Sequence, residues 1–158
     1  MKSVSETACP KTWTCLVHLK DSGRLPDLKG WRREFREMAG GLFTIVGVEA
    51  AIDGRLVEVK GELTLQVDKS KIVLRLRPLQ EKVHLDPAKR RPRPAAAGEK
   101  EAHQRLLARW AKHAGPAPRV RIVGPLRESA PGELPVLTVR EFVWDSEHAV
   151  RQRPALGP

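Results

Sequence analysis

What the chain has little of narrows it first. Cysteine occurs twice, at Cys9 and Cys15, too few for a disulfide framework, so a reducing cytosol is the expected compartment. No apolar run approaches the roughly 18 residues that a membrane-crossing helix needs. The N-terminal stretch MKSVSETACPKTWTCLVHLK also lacks the continuous apolar segment of a secretion signal. The expectation is a soluble cytoplasmic protein with no membrane partner. Aromatic residues are only 4% of the sequence, four tryptophans and three phenylalanines with no tyrosine. Most of these rings (Trp13, Trp31, Phe35, Phe43, Trp110, Phe142, Trp144) fall on apolar stripes and are assigned to core, which leaves few for stacking on bases.

Residues arranged for catalysis are equally scarce. No glycine-rich phosphate loop follows a strand, and GPLRESAPGEL lacks the lysine and spacing of a nucleotide cradle. None of the five histidines stands four residues from a second histidine or cysteine, and none falls in an identifiable nucleophile or general-base arrangement. Cys9, Cys15 and His18 are soft ligands, but their spacing departs from that of a zinc knuckle and no fourth ligand is nearby. No enzyme, cofactor or metal site is therefore expected.

What is present is positive charge. The net charge is +10 over 158 residues, with 18 arginines and 11 lysines. Half of that excess lies between residues 86 and 115, where HLDPAKRRPRPAAAGEK precedes a helix-like segment. Such a concentration favours polyanions, since each neutralised phosphate releases counterions. An alanine-, proline-, glycine- and arginine-rich composition is also what a GC-rich genome yields without selection for binding.

The spacing of apolar residues divides the chain into an accessory segment over 1–40, a folded domain over 41–145 and a frayed tail over 146–158. WTCLVHL reads as a short strand. LKGWRREFREMAGG reads as an amphipathic helix with Trp31, Phe35, Met38 and Leu42 on its apolar face and two glycines to end it. GLFTIVGVEAAI reads as a strand bent at Gly47, followed by an Asp53-Gly54 hairpin turn. RLVEVKGELTLQV then alternates, with Val57, Val59, Leu63, Leu65 and Val67 inward. IVLRLRP follows with Ile72, Leu74 and Leu76 inward, and LQEKVHL is a weaker strand. Residues 86–98 read as an exposed irregular linker. Residues 99–114 read as a helix with Ala102, Leu106, Leu107, Trp110 and Ala114 on one stripe. RVRIV (119–123) and PVLTVREFVW (135–144) are the last strands.

From residue 41 the order is bent strand, strand, strand, helix, strand, strand. This order resembles the oligonucleotide/oligosaccharide-binding (OB) fold, a five-stranded Greek-key barrel with a helix between its third and fourth strands. The fold class is therefore mainly β with α, an α+β barrel or strongly curved sheet with a short N-terminal helix. A ferredoxin-like sheet is the alternative. The resemblance implies a binding surface on the second and third strands. Here that surface carries no aromatic rings, so binding would rest on cations and on phosphates. The candidate residues are Lys89, Arg90, Arg91 and Arg93 in the loop, Arg105, Arg109 and Lys112 on the helix, Arg75 and Arg77 on the third strand, and Arg119 and Arg121 on the fourth. Nucleic acid, met through its phosphates without sequence preference, is the expected partner. A protein partner that pairs with the GELPVLTVREFVW strand is the alternative.

Overall fold

The computed structural model describes residues 25–86 and 91–144, together with a small antiparallel pair, β1 (Thr7–Cys9) and β2 (Thr14–Leu16). Helix α1 (Leu28–Met38) begins where Asp27 accepts a hydrogen bond from the Gly30 amide at 2.8 Å, satisfying one of the helix's orphan donors. Then come β3 (Val48–Val59), β4 (Glu62–Val67) and β5 (Val73–Pro78) as an antiparallel meander. The hairpin β6 (Glu81–Asp86) and β7 (Arg91–Pro94) follows, then α2 (Ala97–Lys100) and α3 (Ala102–Ala111). Strands β8 (Arg119–Arg127), β9 (Val136–Val139) and β10 (Glu141–Trp144) complete the chain.

These strands close a five-membered mixed barrel. Strand β8 runs antiparallel to β3 on one side and to β9 and β10 on the other, while β9 runs parallel to β5. Strands β9 and β10 are one stave interrupted at Arg140, whose amide still reaches the Val123 carbonyl. The fold class read from the sequence is thus borne out, and the closed ring replaces the ferredoxin-like alternative. Enclosure of β9 between β5 and β8 also leaves only β10, of the GELPVLTVREFVW segment, with one sheet edge unpaired among the described residues.

The core is filled by Leu56, Leu65, Leu74, Leu76, Ile122, Leu137 and Val139, all buried, with Ala102 and Leu106 of α3 packed among them. Burying such side chains is worth roughly 1.5–3 kcal/mol each, the main force closing the ring.

Several local expectations are corrected. Asp53-Gly54 is not a turn but lies in the middle of β3, where Gly54 pairs with Val67 on one side and Val120 on the other. A side chain there would put its Cβ 2.4 Å from the Gln66 carbonyl oxygen, so the glycine serves close strand approach. The two-residue turn falls instead at Lys60 and Gly61, with φ of 53° and 78°, the doubly positive pattern of a type I′ hairpin. That turn reverses the facing of the residues before it. Leu56 lies opposite Leu65 in the interior, and Val57 and Val59 lie opposite Thr64 and Glu62 on the other face, where both valines are half-buried and Thr64 is buried. The bent strand begins at Val48, after an irregular approach through residues 42–47.

The irregular linker is in part a hairpin. Pro92 and Pro94 sit in β7, which among the described residues pairs only with β6, and an edge strand tolerates residues that lack an N–H. The expected helix is split at Glu101 and ends at Ala111, and Leu107 and Ala114 are exposed. Among the described residues α1 is anchored through its first turn, by buried Leu28 and half-buried Trp31, whereas Met38 is 75% and Leu42 82% exposed.

Candidate nucleic-acid interface

The candidate cations fall into three places. On the outer surface of β5, Arg75 and Arg77 share one carboxylate: Arg75 Nε lies 3.1 Å from Glu62 Oε2 and Arg77 Nη2 lies 3.1 Å from Glu62 Oε1. Register explains the pairing, since Thr64 opposite Arg75 puts Glu62 beside Arg77 on the neighbouring strand. Glu62 cancels one of the two charges and holds both guanidinium groups against the sheet.

On β8, Arg121 makes a two-pronged contact with Asp53, directly opposite on β3, at 2.8 and 2.7 Å. Such a fork is the strongest geometry for an arginine and a carboxylate, although this pair is half exposed and screened by solvent. Arg119 donates from Nε at 3.1 Å and also from Nη2 to Asp68 Oδ2. These cations are embedded in ion pairs, a placement that outward alternation alone does not show.

The third place is the helical side. Arg105 Nη2 donates to the Gly98 carbonyl at 3.0 Å, bracing α3 against α2. Arg109 lies over the Trp144 ring, 4.6 Å from its centroid, a cation–π contact. His113 packs between Trp110 and Trp144, with centroids 6.2 and 5.8 Å away, and its Nε2 is 2.9 Å from the Pro116 carbonyl. Lys112 caps the C-terminal end of α3 and is exposed, as is Arg93 on β7. Arg91 belongs to β7, while Lys89 and Arg90 lie outside the described residues. The structure therefore places Arg93 on β7 and Arg105, Arg109 and Lys112 on α3 and its C-terminal cap, with α2 between the two elements. It puts Arg75 and Arg77 on β5, a strand that α3 packs against, and Arg119 and Arg121 on β8.

Two further groups are set by this helical layer. Glu99 accepts from the Ala96 amide at 2.7 Å and from Lys82 Nζ at 2.8 Å, and the Lys82 contact, joined by the amide, holds its carboxyl below the ordinary carboxylate range. Burial pushes the His103 imidazole below its usual value, and nearby Arg77 adds to that, against a hydrogen bond with the Leu76 backbone.

Sequence reading missed one concentration of charge. Arg55 on β3 lies directly opposite Arg119, and together with Lys69 and Lys71 of the β4–β5 turn it borders a shallow cleft of about 610 Å³. Residues 55, 69, 71 and 119 are separated in sequence and converge only through register. Among the described residues, no three histidine, cysteine, aspartate or glutamate side chains gather as metal ligands. The chain matches no protein-family model, no curated protein and no solved structure.

Proposed function

We propose that this protein is a small, non-enzymatic, OB-like binding module that contacts nucleic-acid phosphates without reading sequence. The barrel supports the OB reading: its first stave pairs with its second and fourth, its third runs parallel to its fifth, and the helices lie between the third and fourth. The observation that carries the nucleic-acid reading is the succession of cations on β7, α2 and α3: Arg93, Lys100, Arg105, Arg109 and Lys112. Of these elements, α3 covers the barrel beside β5, β9 and β10, and α2 packs on α3. The outer faces of β4 and β5 present Glu62, Gln66, Arg75 and Arg77 and no ring, so contact there is directed to the backbone and salt-sensitive.

The test is fluorescence anisotropy of a mixed-sequence single-stranded oligonucleotide across a salt series. Affinity is expected to fall by at least tenfold between 50 and 200 mM salt, on the order of the loss for several phosphate contacts. No binding at the lowest salt refutes the proposal.

A different observation favours a second reading, a protein-interaction or structural subunit with no nucleic-acid ligand. Phe35, Met38, Leu42 and Val46, close in sequence between α1 and the approach to β3, are each exposed, and clustered apolar exposure marks interaction surfaces. Serine at Met38 and Leu42 is expected to abolish partner capture under this reading and to leave oligonucleotide binding unchanged under the first.

A further inference from the structure

We infer that the cleft between Arg55 of β3 and the β4–β5 turn is a phosphate seat. Its ligand is a phosphate or pyrophosphate group, presented by a nucleic-acid strand or by a free polyphosphate. The argument begins with register. Arg55 and Arg119 face one another on adjacent antiparallel strands, and like charges so placed repel. Asp68 answers the charge of Arg119. Arg55 instead donates Nη1 to the Ala117 carbonyl at 3.1 Å, which orients its guanidinium without cancelling its charge. An anion in the cleft supplies the compensation that the pairing leaves out.

The turn that forms the other wall is built to hold its shape. Ser70 Oγ donates to the Val67 carbonyl at 3.4 Å and accepts from the Ile72 amide at 3.1 Å, while the Asp68 amide reaches back to the Asp53 carbonyl. Lys69, in a left-handed conformation, and Lys71 are both exposed on this braced turn, and Gln66 adds an amide to the lining. Among the described residues the cleft is lined by three cations, Arg55, Lys69 and Lys71, and one carboxylate, Asp68, which also pairs with Arg119. A planar guanidinium and two mobile ammonium groups suit the oxygens of a phosphate. The lining has no aromatic side chain, so the seat grips charge and does not distinguish bases.

This inference concerns a surface apart from the β7–α3 cations, and its test does not need that reading to hold. Inorganic pyrophosphate and the oligonucleotide are each titrated into the full chain, into an R55Q/K69Q/K71Q variant, and into an R93Q/R105Q variant, with isothermal calorimetry as readout. A single K71Q change at an exposed position serves as the folding-neutral control. Pyrophosphate binding weakened at least fivefold in the triple variant, with a smaller loss in K71Q and none in R93Q/R105Q, supports the seat and identifies free polyphosphate as a sufficient ligand. Loss confined to the oligonucleotide supports the seat with a strand phosphate as its source. Overturning outcomes are absence of binding by both probes, or triple-variant affinities equal to those of the unaltered chain. Oligonucleotide binding that fails only in R93Q/R105Q retains the proposed function and refutes the seat.

Discussion

Adjacent leucines on α3 provide a sharp test of how the helix seats on the barrel. Leu106 is fully buried in the core, whereas its neighbour Leu107 is 38% exposed. The two are alike in chemistry and helix propensity, so truncation to alanine isolates burial. Leu106→Ala removes three buried carbons and leaves a cavity between α3 and the staves, a change that costs about 3 kcal/mol from the usual 2–5 kcal/mol range. Against a total stability on the order of 5–15 kcal/mol, that is a large fraction. It corresponds to a fall in Tm of about 10 °C for a domain of this size. Leu107→Ala loses a partial contact and is expected to cost under about 1 kcal/mol, since substitutions at exposed positions seldom exceed that. Urea unfolding followed by tryptophan fluorescence reports both, because Trp110 and Trp144 lie in the same region. The slope with denaturant should stay unchanged while the midpoint moves. Equal losses for the two substitutions, or a larger loss at Leu107, would refute the seating of α3 described above.

Two predictions concern pH. With its folded value held below the ordinary 6.5, His103 binds a proton more readily in the unfolded chain, so stability is expected to fall as pH drops below about 6.5. His103→Gln should flatten that decline in unfolding free energies measured between pH 8 and 5, and an unchanged slope contradicts the assignment. Glu99 acts with the same sign in a lower pH range. Its folded value lies below the ordinary 4.5, so its contribution is present above that pH and is lost as pH falls through the lowered value. The stability gap between the unaltered chain and Glu99→Gln should therefore be widest near neutrality and narrow below about pH 4.5. A gap independent of pH would count against the Lys82 and Ala96 contacts as its source.

Element order was legible in the sequence because alternation is a local signal. The inward Leu74 and Leu76 and outward Arg75 and Arg77 needed only a period of two, as did Val120 and Ile122. What misled was local chemistry overruled by tertiary contact. Asp-Gly favours a turn, but Gly54 is needed where β4 approaches β3, and Lys60 takes a left-handed conformation that a lysine by itself avoids. The facing of Val57 and Val59 then follows from the turn's true position. Helical periodicity on α1 showed an apolar stripe without showing what, if anything, lies against Phe35 and Met38. Ion pairing was beyond reach for a similar reason: Asp53 and Arg121 are 68 positions apart and meet only through the β3–β8 register. The cleft of Arg55, Lys69 and Lys71 depends on the same long-range alignment, whereas the basic stretch 89–93 was visible as a run.

The parallel contact of β9 with β5 has a consequence for how the molecule is made. Residues 48–78 supply three neighbouring staves through short turns, yet the strand that seals them begins at Val136, which pairs with Arg75. A ribosome therefore finishes the open half-ring some sixty residues before its closing member emerges, several seconds at about 5–20 residues per second. Throughout that interval Leu65, Leu74 and Leu76 lack the far wall, and the rim of β5 offers unpaired amides to any passing chain. Late sealing makes the newborn polypeptide most vulnerable to aggregation just before its final stave arrives.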